Sequence, residues 1–561
     1  MKQRTLLIFM IILLSVNLFA QKAVHKISNY PNGKIRFSAS FVNDSIYEGK
    51  YIQYYVNGNI REEGTFDHNK RIGLWLQFYK NGDTLSKINY SNGPFIIWFT
   101  NGKIQVKGQV KNGEKTGHWI EYYSTGGIKN KEKYIAGNLD SICLYYRKDS
   151  TISDSREYKD GKKSGMWISY YPNGRKRLEG KYKDDKKIGE WKEWYLTGEL
   201  KAIVPSVSGE YKEYYRDGKK KGNGYINKRK KDGHWQYWYP SGQLKEEFNY
   251  VEDLKNGPTA KYFNSGKKQF ESQFVKDSLN GAAQWWYANG NTEMKGFLKD
   301  DLQDSLWTFY YKEGNKGSQG SFVKGKMNGQ WTYWYKTGEL WKKGYFDHGV
   351  KTALWTTWFE NKQKLQEGEY ANGLETGLWH SWYDNGQPLA TGSYKNGKME
   401  GKWEAWFKTG NRNYQFNYSN DLREGPATQY YSNAKKKYVG AFSQGKRNGP
   451  FKEWYINGNL QAEGKYKQGL KEGKWKFYDN RERLYKEQSF IDGKPTGKWV
   501  EYYVRGNKKA EGEYKGIYKN GIWTYWDKKG AVILKLRYKN GVKEEVIYKA
   551  EAGKALKQPK K

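Results

Sequence analysis

The chain has 561 residues, 17% of them aromatic, with 64 glycines and a formal charge of +39. Helix formers such as Ala, Leu and Met are sparse while strand and turn formers abound, which excludes a helical protein. The single cysteine, Cys143, excludes an intrachain disulfide, and basic residues spread along the whole length favour anionic partners in general without specifying one.

At the N-terminus Lys2 and Arg4 precede an apolar run from Leu6 to Leu14, followed by Ser15, Asn17 and Ala20. A short basic stretch, a short apolar core and a small residue predict a signal peptide over 1–20, cleaved after Ala20. The run is shorter than the roughly 20 residues a membrane span needs. An exported protein is expected, in the periplasm, at the outer cell surface or outside the cell.

From Gly49 onward a small residue, usually followed two positions later by an aromatic, recurs in 21 copies, at a step of 24 residues. Gly117, Gly165, Gly233, Gly329, Gly377 and Gly473 are examples, and Ser141, Ser305 and Ala353 fill the same slot. Two steps, Gly73 to Gly93 and Gly189 to Gly209, are 20 residues long, and Val204-Pro205-Ser206 lies in the second. Counting the small residue as position 0, position 2 is usually Trp and positions 5 and 6 an aromatic pair, as in Trp334-Tyr335. Position 9 is usually Gly, often after Asn, and position 15 is often Gly, which leaves room for a neighbouring Trp ring. Position 17 is aromatic in many units. Asn-Gly between short aromatic stretches predicts a tight hairpin with positive φ at both central residues. A second turn is expected near positions 19 to 24. Each unit therefore predicts two strands and two turns, and a helix is excluded by a turn signal roughly every ten residues. The expected fold is all-β, an elongated twisted antiparallel hairpin array over 21–548, with a basic tail over 549–561.

Gly165-x-Trp167-x-x-Tyr170-Tyr171-x-Asn173-Gly174, followed by Gly180-x-Tyr182, resembles the MORN repeat in its bacterial variant form. The resemblance covers the chain from about Asn29 to Tyr548. It implies a twisted β-hairpin array, and functions in protein-protein contact, oligomerisation and lipid contact. Some bacterial relatives carry an antitoxin label.

Strand alternation puts positions 2 and 6 on one face and position 5 on the other. The position-5 tryptophans Trp238, Trp286, Trp334, Trp358, Trp382, Trp406 and Trp454 are the candidate binding face, interleaved with Lys. No catalytic, cofactor-binding or metal-ligating residue is assigned. The six histidines show no metal-ligand spacing with one another or with Cys143, which stands in a Trp slot as a small buried residue. Glu121, Glu193, Glu213, Glu453 and Glu501 recur at one repeat position and are expected to pair with Lys across strands. The function expected is a non-catalytic, exported scaffold at the cell envelope or outside the cell that binds protein partners, with a homo-oligomer among the partners considered. The alternative is a binding module for anionic glycans or lipid headgroups. Nucleic acid ranks lower, since export removes the usual substrate.

Overall fold

The structure is a computed structural model that describes residues 22–551; the expected signal peptide over 1–20 and the tail from residue 552 lie outside the described residues. Every helix or strand among those residues is a strand. The chain divides into two units, 1–266 and 267–561. In each, strands pair antiparallel with their neighbours in sequence, as Ile46–Tyr54 pairs Ile60–Asp67 in the first unit and Lys326–Trp334 pairs Leu340–Asp347 in the second.

The two turns of each repeat have the opposite chemistry to that expected. At the Asn-Gly turn only Gly has positive φ (Gly58, +96°). The Gly58 amide donates to Tyr55 O and the Tyr55 amide to Asn59 O. This is a three-residue loop closed by a glycine bulge, not a two-residue turn with both residues left-handed. Asn57 acts through its side chain: its Oδ1 accepts the Asn59 amide at 3.2 Å and its Nδ2 donates to Lys80 O of the next repeat at 3.0 Å. The paired positive φ values occur at positions 19 and 20 instead, for example Asn372 (+51°) and Gly373 (+81°), or Asp184 (+47°) and Asp185 (+63°).

The small residue at position 0 has a different role. Gly329 has φ +70° and lies in a bulge, where the register against the preceding strand jumps between Gly320↔Trp331 and Ser321↔Asn328. Ser305 and Ala353 adopt the same left-handed conformation. The bulge aims position 2 onto the core face.

There most of the tryptophans lie flat on the glycine at position 15 of the preceding repeat; Trp167 and Trp499 face Arg156 and Gln488 instead. A Cβ on Gly344 would come within 2.0 Å of the Trp355 ring, and one on Gly64 within 2.2 Å of Trp75. Indole Nε1 then donates to the carbonyl one residue further on, Trp355 to Tyr345 O and Trp75 to Thr65 O. Trp119 and Trp191 lack an acceptor although buried. The position-17 rings stand edge-on to the next Trp, Phe346 to Trp355 at 5.1 Å and 88°. Trp75, Trp235, Trp307, Trp475 and Trp523 are almost wholly buried.

Position 4, not position 6, shares the core face with position 2. Tyr333 pairs with Lys342 and its ring lies 5.9 Å from Trp331. Position 6 lies beyond the strand end, because the chain turns there. Its tyrosine instead links repeats: Tyr335 OH donates to Trp358 O at 2.8 Å and Tyr55 OH to Phe78 O at 2.9 Å.

Candidate functional site: the position-5 tryptophans

All seven candidate tryptophans end a strand on the side away from the core and are half-buried. Trp238 belongs to the first unit. Trp286, Trp334, Trp358, Trp382, Trp406 and Trp454 belong to the second. One repeat advances the sheet by two strands, so successive rings are roughly 10 Å apart. The backbone carbonyls of Trp238, Trp334, Trp358, Trp406 and Trp454 each accept a tyrosine hydroxyl from the preceding repeat, at 2.7 to 3.0 Å. Trp286 and Trp382 lack this bond because Phe263 and Phe359 stand in the tyrosine slot.

The rings are set among ion pairs. Lys364 Nζ lies 5.6 Å from the Trp382 ring centre and 2.8 Å from Glu367. Lys268 bridges Trp286 (5.9 Å) and Glu271 (2.7 Å) in the same way. Burial pushes the Glu367 carboxyl up, but hydrogen bonds from Lys364 and Thr356 bring it below its ordinary value. At Trp358 and Trp406 the lysine slot holds Leu340 and Pro388. The surface is therefore a row of partly open rings with five flanking lysines: Lys268 and Lys364 are paired with glutamates, whereas Lys220, Lys316 and Lys436, 5.6 to 5.9 Å from the centres of Trp238, Trp334 and Trp454, have no ion pair among the described residues.

The five recurring glutamates pair with basic residues as expected: Lys129–Glu121, Lys201–Glu193, Lys221–Glu213, Arg447–Glu453 and Lys509–Glu501, at 2.6 to 3.3 Å. Cys143 is fully buried, and burial raises its thiol pKa. Its small size leaves room for Glu132, whose carboxylate accepts the hydroxyls of Tyr134 and Tyr145.

Two arrangements escaped the sequence reading. Glu48, Asp67 and His68 have ligand atoms within 4.8 Å of one another. The His68 ring bonds Asp67 at 2.7 Å, which raises the imidazole pKa, and the His68 amide donates to Glu48 at 2.8 Å. That amide bond is a repeat feature, since Glu400 and Glu424 cap the Asn420 and Gln444 amides identically. The second is a cation roofing many of the core rings from two residues before the small residue. Lys351 lies 4.9 Å from the centre of Trp355 and 4.6 Å from that of Tyr370, and Lys519 is 4.2 Å from that of Trp523. Part of the net charge is thus engaged inside the molecule. The recurrence of Lys or Arg at that position was visible in the sequence.

The family model described as the MORN repeat variant matches residues 47–68, 71–92, 91–112, 231–252, 327–348, 375–396 and 447–468. These segments are MORN repeats of the variant type. Each match starts two residues before the small residue of the unit, at a roofing cation in three of the seven (Arg71, Lys231 and Arg447), and all but 71–92 end in the second turn. Two MORN matches flank the first short step. Comparison with curated proteins finds no match. Among solved structures, the crystal structure of TcdB2-TccC3-Cdc42 matches at 11% identity over 92% of this chain and 30% of that one, with a TM-score of 0.13. The Photorhabdus luminescens Tc holotoxin pore with the mutation TccC3-D651A matches at 11% identity over 93% of this chain and 31% of that one, also at 0.13. This chain spans about a third of those chains, and superpositions this loose do not define a common fold.

Proposed function

We propose that this MORN-repeat array is a non-catalytic, exported scaffold that binds a protein partner through the position-5 tryptophans. The observation that carries the reading is the row in the second unit: rings about 10 Å apart, half-open and held on a hydrogen-bonded backbone. Rigid aromatic anchors are the side chains that dominate protein interfaces. The flanking lysines, two paired and three open, would add charge complementarity to a protein surface that carries carboxylates. The leader of residues 1–20 supports export.

A photocrosslinking residue at Trp358 in the full-length protein, expressed in its own cells, tests the binding role. The expected result is a discrete adduct that is lost when Trp334 and Trp382 are changed to Ala. Adducts that survive those changes, or none, would count against this face. Fractionation of cells carrying the full chain or one lacking residues 1–20 tests export; equal cytoplasmic retention of both would reject it.

A further inference from the structure

The second 20-residue unit leaves a notch in the core face of the first structural unit. Leu200–Pro205 and Gly209–Tyr214 are six-residue strands, flanked by the longer hairpins Lys176–Lys183 with Lys186–Trp194 and Lys220–Asn227 with Lys230–Trp238. The short hairpin stops before its neighbours do. A cavity of about 630 Å³ results, floored by Val204, Pro205 and Ser206 and walled by residues of both neighbouring tips. The first 20-residue unit is shortened in the same way, yet its slot is filled: Tyr90 stands edge-on to Trp75 at 6.4 Å, under Arg71 at 5.9 Å. Ser206 is the counterpart of Tyr90, each donating its amide to the position-0 glycine carbonyl of its unit, Gly189 and Gly73. Serine leaves the ring's space open.

The cavity is cationic. Lys163, Lys186, Lys187 and Arg229 line it, against Asp185 and Glu193. Both carboxylates are occupied: Asp185 accepts the Lys163 amide at 2.9 Å, and Glu193 pairs with Lys201, outside the cavity, at 3.3 Å. None of the four cations has a carboxylate within ion-pair distance among the described residues. Lys187 sits 4.1 Å above the Trp191 ring. Trp191, also in the lining, is 4% exposed and its Nε1 has no acceptor. Leu178, Val204, Pro205 and Ile226 supply an apolar wall. The volume is that of a small-molecule site.

We propose that this notch binds a phosphate monoester carried on a compact apolar or ring-shaped body. A dianion suits four cations whose nearby carboxylates are engaged elsewhere, and the Arg229 guanidinium offers the paired donors that phosphate oxygens accept. The apolar wall takes the body of the ester. This site is independent of the position-5 tryptophans, which lie away from the core face.

The test is calorimetric titration of the mature protein at physiological salt with phenyl phosphate, inorganic phosphate and benzoate, and sedimentation with vesicles of phosphatidylcholine with or without phosphatidic acid. Phenyl phosphate is expected to bind at least about tenfold more tightly than inorganic phosphate or benzoate, a difference of about 1.4 kcal/mol. Ser206→Tyr restores the ring that the first short unit carries, and should weaken binding about tenfold or more. The double change Lys186→Gln, Arg229→Gln leaves the core untouched and should do the same. Phosphatidic acid vesicles retained by the wild type and released by both variants would identify a lipid headgroup as the source; binding of the soluble ester alone would identify a free metabolite. No binding of any phosphate probe, benzoate binding equal to phenyl phosphate, or binding unchanged in both variants would overturn the proposal. The last of these would assign binding to diffuse charge.

Discussion

Two junctions in the second unit solve one packing problem in opposite ways. At Gly344–Trp355 the ring comes from the later strand and the glycine makes room for it. At Phe416–Ala427 the ring comes from the earlier strand, and alanine stands where tryptophan would be. All three side chains are buried to within 5% exposure, so neither arrangement leaves its core residues open. The first unit holds a similar inversion, with Phe248 at 6% and Thr259 at 3% exposure. What each junction conserves is one large ring per pair of facing positions, whichever strand supplies it.

The sharpest way to break this rule is to convert one junction into the other. Ala427→Trp alone forces a second ring against Phe416 and should cost about 3 kcal/mol, the upper range for overpacking. Phe416→Gly alone empties the slot and should cost about 3–5 kcal/mol. The double change recreates a Gly–Trp junction and should recover at least about 2 kcal/mol of the summed loss, read as local hydrogen-exchange protection of 412–430. Additive losses would mean that the pair is not one packing unit. Gly344→Ala is next in size. Its Cβ would meet three atoms of the buried Trp355 indole, the nearest at 2.0 Å, so about 2–3 kcal/mol should be lost from this junction. An unchanged exchange pattern around Trp355 would show that the sheet yields more easily than close packing implies.

Much of this was legible from residue spacing. The 24-residue register, the all-β fold, the room at position 15 for a Trp ring and the Glu–Lys pairing follow from which residues recur where. The turn chemistry did not, because Asn-Gly fits both a two-residue turn and a three-residue loop with a bulge. The difference lies in the backbone bonds of Tyr55 and Gly58, which sequence does not display. The same loop carries position 6 off the strand, so simple alternation placed Tyr335 on the core face in error and overlooked Tyr333. Of the candidate binding face, the structure describes seven half-buried rings at strand ends. Which of its lysines are paired turns on the residue three positions on: Glu367 follows Lys364 and Glu271 follows Lys268, while Asn223, Gln319 and Val439 follow Lys220, Lys316 and Lys436.

A smaller effect separates the two junctions in the layer behind them. The repeat before the inverted junction's unit carries Tyr383, whose hydroxyl donates to Trp406 O at 3.0 Å. The inverted junction's own repeat has Phe407 in that slot and no such bond. Tyr383→Phe should therefore cost about 1 kcal/mol, the worth of one hydrogen bond, without moving Trp406. Phe407→Tyr should gain up to a similar amount by reaching Tyr430 O. A null result for both, in denaturant midpoint and in exchange of the Trp406 region, would make the tyrosine ladder a consequence of packing and not a contributor to it.

The smallest expected difference is in pH response, because the cations over the rings differ. Arg423 roofs the inverted junction, 4.2 Å from the Phe416 ring centre, and stays charged at any accessible pH. Lys471 roofs the Gly464–Trp475 junction at 4.5 Å. Two forces oppose each other at Lys471. The ring faces favour the ammonium by about 0.5–1 kcal/mol at an exposed site, while burial disfavours it and lowers its pKa below 10.5. If burial wins, folding penalises the charged form. That cost is fully present below the folded pKa and is relieved as pH climbs from there towards the ordinary lysine value. The Gly464–Trp475 junction should then tighten over that window, whereas Arg423 gives Phe416–Ala427 no such response. Carbon NMR of the Lys471 ε-methylene reads the midpoint directly. A value below 10.5 places burial above the ring attraction; a value at or above it reverses the order and removes the expected difference between lysine-roofed and arginine-roofed repeats.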